Sequence, residues 1–174
     1  MSLRFHKVHL LILASIAQGG CLMAPVHSTY YEPNPQDGTP ERTTRAYERK
    51  DTSVREVDGI NMRVHAEFRP TKPLIVGISV IYGEEDVDVN AELIGLRLPP
   101  DGKEIRSQRV NSQNATRYDS QHLIKMFALT FDEAAAVDEI SVVFSPGSVM
   151  KDGKAVIVEP FRLTKVSKSD IHIY

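Results

Sequence analysis

The chain lacks tryptophan, holds a single cysteine and has no surplus of basic residues. Its 174 residues include 21 Lys and Arg against 23 Asp and Glu, which gives a formal net charge of -2. One cysteine cannot form a disulfide within the chain, so any core must be held by packing. Proteins that depend on phosphate contacts normally carry a basic surplus, so we expect no nucleic-acid partner.

Long apolar runs are also missing, and the longest run lies near the amino terminus. The run Val8–Ala17 is about half the roughly 20 apolar residues that a membrane-spanning helix needs. Arg4 and Lys7 precede it, and the small pair Gly19–Gly20 follows it. This order is typical of a secretory signal peptide, so we predict that residues 1–20 are removed.

Residues 4–21 resemble the signal peptide of bacterial lipoproteins. In that family a lipobox of the kind Leu-Ala-Gly-Cys is cut before the cysteine, which is then acylated. Gly19–Cys21 match the pattern, and Gln18 replaces its usual small or apolar residue. The resemblance implies palmitate-type lipid attachment at Cys21, and Leu22 after it implies delivery to the outer membrane, facing the periplasm. Several acyl chains anchor durably, since each buried methylene contributes about 0.8 kcal/mol.

Two other interpretations of the amino terminus remain open at this point. Cys21 would be a packing residue if the leader were an uncleaved helix of a cytosolic protein. Alternatively, ordinary signal peptidase would cut further on, for example after Ser28, and give plain secretion.

Residues 21–57 are predicted to be a disordered, lipid-attached tether rich in proline. Helical or strand periodicity is absent, and a segment of this length reaches about 30–35 Å. Tyr30, Tyr31 and Tyr47 fall in it or beside it. Its prolines are Pro25, Pro33, Pro35 and Pro40.

After the tether the pattern becomes that of β-strands. Ile60–Phe68 alternates apolar and polar residues, as a half-buried strand does, whereas Leu74–Tyr82 is apolar on both faces and suits a central strand. Asp101–Gly102 and Asp152–Gly153 are hairpin turn pairs. Other strands are expected over 87–98 with a bulge near Ile94–Gly95, over Ile105–Val110, Leu123–Phe131, Ile140–Phe144 and Ala155–Val166, with 111–121 as a polar loop and one helical turn near 132–139.

Short strands of this spacing, without long helical patterns, predict one all-β domain. We expect an antiparallel immunoglobulin-like β-sandwich of about seven strands. The predicted domain covers residues 58–167, and residues 168–174 form a C-terminal tail.

No catalytic, cofactor-binding or metal-binding residue is predicted. Asp86, Asp88 and Asn90 imitate the start of a calcium loop, but Ala91 and Arg97 stand where its glycine and closing glutamate belong, so a solvated acidic face is expected. Adjacent acid pairs are expected to be turn residues. The histidines lack ligand spacing, among them His65, His122 and His172.

The sequence therefore favours a non-catalytic envelope lipoprotein. Its folded domain would bind or scaffold another envelope protein, and its membrane contact would be the lipid on Cys21. The alternatives are an envelope enzyme whose site is assembled from distant strands, and a carbohydrate-binding module, although the latter usually presents exposed aromatic side chains.

Overall fold

The structure is a computed structural model that describes residues 23–42, 50–68, 70, 73–134 and 137–173. It is all β, with antiparallel sheets, which confirms the predicted class. The described residues form 14 strands and two single-turn 3₁₀ helices, at Ala91–Leu93 and Asp132–Ala134. In chain order the strands are β1 (Met23–Pro33), β2 (Thr39–Glu41), β3 (Thr52–Val57), β4 (Ile60–Glu67), β5 (Leu74–Tyr82), β6 (Val87–Val89), β7 (Ile94–Leu98), β8 (Lys103–Arg106), β9 (Arg109–Arg117), β10 (Leu123–Phe131), β11 (Glu139–Phe144), β12 (Val149–Lys151), β13 (Lys154–Ala155) and β14 (Phe161–Ile173).

These strands are arranged in three sheets. The six-stranded sheet has the order β2-β3-β4-β5-β10-β9, and the five-stranded sheet has the order β1-β14-β11-β7-β8. A small third sheet has the order β13-β12-β6. Strands β2 to β5 follow one another as a meander, and β10 returns later in the chain to pair with β5.

The chain divides into two compact units, one of residues 29–166 and one of residues 1–28 with 167–174. In the smaller unit the described residues are the amino-terminal end of β1 and the carboxyl-terminal end of β14. Ser169 Oγ lies 2.7 Å from Nδ1 of His27 there. The larger unit contains the apolar core and every site considered below.

The two clearest predicted strands are confirmed as β4 and β5. In β4 buried and half-buried residues alternate, because one face packs on the core and the other does not. In β5 seven of the nine residues are buried, as the run of apolar residues on both faces predicts. The predicted strands at Leu123–Phe131 and Ile140–Phe144 are also present, as β10 and β11, and the predicted helical turn is the 3₁₀ helix Asp132–Ala134.

Both predicted hairpin turns are confirmed. Asp101–Gly102 joins β7 to β8, with Gly102 at φ +68°, and Asp152–Gly153 joins β12 to β13 with φ +49° and +74°. A third Asp-Gly pair, Asp58–Gly59, joins β3 to β4 with φ +51° and +80°. Two positive φ angles in succession suit the hairpin turn whose twist matches the strands that it connects.

An immunoglobulin-like arrangement of about seven strands is not confirmed, because the structure has 14 strands in three sheets. One reason lies at residues 87–98, which were predicted as a strand with a bulge. Asn90 Oδ1 accepts a hydrogen bond from the Glu92 amide and caps the 3₁₀ helix Ala91–Leu93. The helix interrupts the chain, so β6 and β7 belong to different sheets.

The predicted strand Ala155–Val166 is likewise divided. β13 ends at Ala155 and β14 begins at Phe161, while Val156 and Val158 between them are buried although they lie outside any strand. β14 then runs to Ile173, through most of the segment that was predicted as a C-terminal tail. Backbone pairing, rather than apolar alternation, sets these strand ends.

The predicted disorder of residues 21–57 is corrected for the described part of that segment, which contains β1, β2 and β3. Tyr31 is fully buried, its hydroxyl donates to the Val137 carbonyl at 2.6 Å, and burial raises its pKa to about 12. The prolines suggested that the segment has no strands. Pro40 nevertheless lies on β2, because β2 is an edge strand, where the missing N–H of proline is tolerated. Tyr47 lies outside the described residues.

Candidate functional site

The most exposed regular element of the described chain is β9, at one edge of the six-stranded sheet. All nine of its residues are exposed, and within the described sheet it pairs only with β10. Residues 111–121 were predicted as a polar loop, and that prediction is wrong for Asn111–Arg117. Alternation identifies a strand only when one of its faces is buried, and neither face of β9 is.

The pairing of β9 with β10 contains a bulge. Ile124 is opposite Thr116 and Met126 is opposite Gln113, so β9 holds one more residue than β10 between these pairs. A bulge bends and twists an edge strand, which is one way in which natural sheets limit indiscriminate edge pairing. The regular part of the edge therefore runs from Arg109 to Gln113.

The charges on β9 have one sign. Arg109 and Arg117 are its end residues, and the strand contains no acidic residue. Two copies of this edge placed side by side would bring four arginines together without a counter-charge, and like charges across paired strands are destabilising. The edge is therefore better suited to a strand that carries acidic side chains than to a second copy of itself.

A structured turn connects β9 to β10. The Tyr118 amide donates to the His122 carbonyl at 2.9 Å, and Asp119 Oδ1 accepts from the amides of Gln121 and His122 at 2.7 and 2.9 Å. Nδ1 of His122 lies 2.9 Å from both carboxylate oxygens of Asp119. These contacts, first the Gln121 amide and then the His122 ring, lower the pKa of Asp119, so the ionised carboxylate holds the turn.

A cleft of about 400 Å³ opens beside this turn. The Tyr118 ring is 47 % exposed, and the Arg63 guanidinium carbon lies 6.0 Å from its centroid. Arg63 also forms an ion pair with Glu41 at 3.4 Å. The cleft offers donors, acceptors and one aromatic face, and its lining includes Glu56, Asn61, Arg63, Ile81, Tyr118 and His122.

This cleft does not contain a nucleophile and base in contact. Among the described residues, the His122 ring forms hydrogen-bond contacts only with Asp119, which also braces the turn. A triad-like arrangement needs the base to reach a hydroxyl or thiol on its other side. The arrangement can bind polar groups, but it has no assembled acyl-transfer machinery.

The other residues singled out in the sequence lie apart from this surface or from one another. His65 packs its ring on Gly77, and burial lowers the pKa of the imidazole. Asp88 lies 4.0 Å from Lys125, whereas Asn90 caps a 3₁₀ helix. No group of three or more metal-ligating residues is found in the part of the chain that the structure describes.

The predicted leader, residues 1–20, and the predicted lipid-attachment residue Cys21 lie outside the described residues, and so does the side chain of His172. In the described ranges, no helix has the length and apolar character needed to cross a membrane. Neither a protein-family model, nor a curated protein, nor a solved structure matches the chain.

Sequence reasoning missed both β9 and the contact between Asp119 and His122. The contact could have been predicted from "YDSQH", in which Asp119 and His122 are three residues apart. An Asp that starts a turn often accepts hydrogen bonds from the residues that follow it. The position of β9 at an edge was not visible, since it depends on β9 pairing with β10 and with no other described strand.

Proposed function

We propose that this chain is a non-catalytic, lipid-anchored protein of the bacterial cell envelope that binds another envelope protein by strand addition at β9. The observation that carries the proposal is the edge itself, a nine-residue strand with every residue exposed. Its regular part, Arg109–Gln113, is about 16 Å long at about 3.3 Å per residue. An extended peptide can form main-chain hydrogen bonds along it, and side-chain contacts then decide which peptide is accepted.

The charge on β9 supports a partner with acidic side chains. Arg109 and Arg117 are both exposed at the ends of the strand, and complementary charge accelerates association and excludes wrong partners. The turn that follows β9 adds polar groups and the half-exposed Tyr118 ring to the same surface. Exposed aromatic side chains beside a binding surface commonly anchor protein partners.

The proposed anchor rests on the resemblance of residues 4–21 to lipoprotein signal peptides. After cleavage the acylated Cys21 would be the first residue, and β1 begins at Met23. The chain would therefore enter regular structure two residues after the lipid, without the long tether that the prolines suggested. An outer-membrane location facing the periplasm is part of the same proposal.

Two adjacent proline substitutions test strand addition. Neighbouring residues of a strand direct their N–H groups to opposite sides, so Asn111→Pro and Ser112→Pro remove donors on opposite sides of β9. One variant should lose a bond to β10 and melt at a lower temperature. The other should keep its melting temperature, because it loses only an outward donor, and it should no longer bind the partner.

Binding can be read in intact cells with a photo-crosslinking amino acid at Gln113. The matched control carries it at Asp101, which is exposed in the β7–β8 turn. We expect one discrete product from Gln113 and none from Asp101, and we expect the fold-neutral proline to remove it. Strand addition is wrong if the Gln113 product survives both prolines or never forms.

Charge reversal tests the acidic partner. Arg109→Glu with Arg117→Glu should reduce the yield of the Gln113 crosslink, and the remaining yield should no longer fall as salt is added. Lys154→Glu, an exposed residue of β13, is the control and should leave the yield unchanged. An unchanged yield in the double variant would contradict the acidic partner while leaving strand addition intact.

The anchor is tested separately by the intact mass of the protein from the membrane fraction. The expected chain starts at Cys21 and carries acyl chains, and Cys21→Ala should prevent processing. A free thiol at Cys21, or retention of residues 1–20, contradicts the anchor and the location inferred from it. That result would not affect the crosslinking test.

A second candidate function, carbohydrate binding, is favoured by the cleft beside Tyr118. Sugar hydroxyls pair with side chains such as Asn61 and Arg63, and a half-exposed ring can stack on a sugar face. Titration with a short neutral oligosaccharide should shift the amide signals of Tyr118 and His122, and Tyr118→Ala should abolish the shifts. No shift at oligosaccharide concentrations of about 10 mM, a weak-binding limit, rejects this function.

A further inference from the structure

A row of polar side chains crosses one face of the five-stranded sheet, away from β9. Ser141 on β11 is directly opposite Arg162 on β14 and Arg97 on β7, and Arg97 is opposite Glu104 on β8. Directly opposed residues of antiparallel strands project from the same face. Two arginines therefore flank one serine, and their strands are about 10 Å apart, twice the usual strand spacing.

Two clefts meet at this row. One has a volume of about 440 Å³ and the other of about 500 Å³, and Arg97, Ser141 and Arg162 line both of them. Serine is the smallest member of the row, so the space above it lies between the two guanidinium groups. The side chains of Arg97 and Arg162 are 49 % and 52 % exposed, so a dissolved ligand can reach both.

Arg162 has donors left over after its ion pair. Asp37 accepts from Nε and Nη2 of Arg162 at 2.8 and 2.6 Å, and it also accepts from the Arg162 amide at 2.9 Å. The Arg162 side chain lowers the pKa of Asp37, so this carboxylate stays ionised and fixes the guanidinium. A guanidinium presents five N–H groups in a planar fork. The pair with Asp37 uses only Nε and Nη2, so the N–H groups of Nη1 remain to bind a ligand.

Arg97 is held more loosely. Its Nη2 lies 3.9 Å from Glu104, which is beyond hydrogen-bond distance, and Glu104 is closer to Arg106, at 3.1 Å. Among the described residues no hydrogen bond to the Arg97 guanidinium is found, so its donors are free to bind a ligand. Arg97 has Arg162 on one side and Glu104, which is already paired with Arg106, on the other. Its positive charge is therefore only partly balanced, which favours binding of an anion.

A third arginine adds positive charge to the larger cleft. Arg55 donates to the carbonyls of Asp37, Glu159 and Pro160, and its guanidinium carbon lies 4.1 Å from the centre of the Phe161 ring. Burial, and then the charge of Arg162, lower the pKa of Arg55 despite the attraction of Asp37 and Glu159. The cleft thus holds three arginines against the carboxylates of Asp37 and Glu159, a surplus of one positive charge.

We propose that this groove binds a phosphate group over Ser141, between the guanidinium groups of Arg97 and Arg162. A tetrahedral oxyanion presents oxygens in three directions at once, toward each arginine and toward the serine hydroxyl. A planar carboxylate has only two oxygens and satisfies these directions less well. The site is separate from the β9 edge and does not depend on the function proposed for that edge.

Titration of the full chain with inorganic phosphate, followed by NMR, tests the site. The amide signals of Arg97, Ser141 and Arg162 should shift together along one saturable curve. Arg97→Gln should weaken binding about tenfold, the loss expected for one charge-assisted hydrogen bond, and Ser141→Ala should weaken it less. Ser141→Asp, which places a carboxylate between the arginines, should abolish phosphate binding while the protein remains folded.

The control for general charge screening is Lys154→Gln on β13, an exposed residue that lines neither cleft, and it should leave the affinity unchanged. Sulfate should bind about as well as phosphate, and acetate several-fold more weakly. The proposal is overturned if the groove signals do not shift, if Lys154→Gln weakens binding as much as Arg97→Gln, or if acetate binds as tightly as phosphate.

A final titration, with glycerol 3-phosphate, distinguishes a lipid headgroup from a free phosphate as the natural ligand. Glycerol 3-phosphate carries the polar end of a simple phospholipid without its acyl chains. Tighter binding of glycerol 3-phosphate than of inorganic phosphate would support the site and assign it to a lipid headgroup. Equal binding would support the site and assign it to free phosphate groups.

Discussion

Strands β5 and β9 are both nine residues long and lie on either side of β10, yet their side chains have opposite surroundings. Seven residues of β5 are buried, and all nine of β9 are exposed. The comparison is sharpest at Phe127 of β10, which is opposite Ile78 on one side and Ser112 on the other. Ile78 is 1 % exposed, whereas Ser112 is exposed, on the strand at the edge of the described sheet.

The difference separates two reasons for being a strand. β5 is a strand because its apolar side chains fill the core, and any partner that preserved its pleat would bury them. β9 is a strand because its backbone forms hydrogen bonds with β10. Its own side chains are exposed, so they bury little apolar surface. A strand of the second kind can be altered without unfolding the protein, which is what a binding edge requires.

The largest expected effect comes from truncating the two neighbours of Phe127. Ile78→Ala should lower the free energy of unfolding by about 2–5 kcal/mol, because it leaves a cavity in the core. Ser112→Ala should change it by less than about 0.5 kcal/mol. Urea unfolding of both variants measures the contrast. Similar losses in the two variants would mean that β9 is part of the core after all.

A smaller effect is expected on β5 at Gly77. A Cβ atom at this position would lie 2.1 Å from Cε1 of the His65 ring, so Gly77→Ala must displace the imidazole. We expect a loss of about 1–3 kcal/mol, the usual cost of overpacking.

His65→Ala supplies the control for Gly77→Ala, because it removes the obstructing ring. The loss in the double variant should be smaller than the sum of the two single losses, since contacting residues are not additive. Additive losses would show that the strain at Gly77 has a cause other than His65.

The smallest effect is a pH dependence from the same contact. Burial lowers the pKa of His65 below its ordinary value of 6.5, so in the window below pH 6.5 the unfolded chain binds more protons than the folded one. Stability should therefore fall as the pH falls from about 7.5 to 5.5, above the range in which most carboxylates titrate. His65→Gln should flatten this part of the profile, and an unchanged slope would contradict the assignment.

The pKa values of Asp37, Glu85 and Asp119 are lowered in the folded protein, mainly by hydrogen bonds from Arg162 to Asp37 and from main-chain amides to Glu85 and Asp119. The stability that they contribute is present above their ordinary pKa values and is lost only as the pH falls further, through the carboxyl range below about pH 4.5. The two windows do not coincide, so the His65 effect can be measured alone.

Residues with one buried face were predictable. Ile60, Met62 and Val64 alternate with polar neighbours, and this alternation located β4 and its core face. Asp101–Gly102 and Asp152–Gly153 located two turns because glycine readily adopts the positive φ found at Gly102 and Gly153. Asp58–Gly59 has the same two residues and the conformation of Asp152–Gly153, but it was not predicted as a turn because the predicted tether ended there.

Residues whose structure depends on distant partners were not predictable. Tyr31 becomes a core residue only because the chain near Val137 receives its hydroxyl 106 positions later. Leu123 begins a strand that was predicted, yet it is 38 % exposed, because the buried residues of β10 lie toward its carboxyl-terminal end. Arg97 and Arg162 are separated by many residues in the chain and meet only because both of their strands pair with β11.

By itself, the sequence determined the β class, the centre of the core and two of the hairpins, because side-chain alternation and turn chemistry are local properties. The proposed lipid attachment at Cys21 also comes from the sequence, because it rests on a short contiguous motif. Only the tertiary structure decided that β9 is an edge strand of the described sheet and that Ser141 lies between two arginines. Both features follow from strand order, and strand order is set by contacts between segments that no local pattern records.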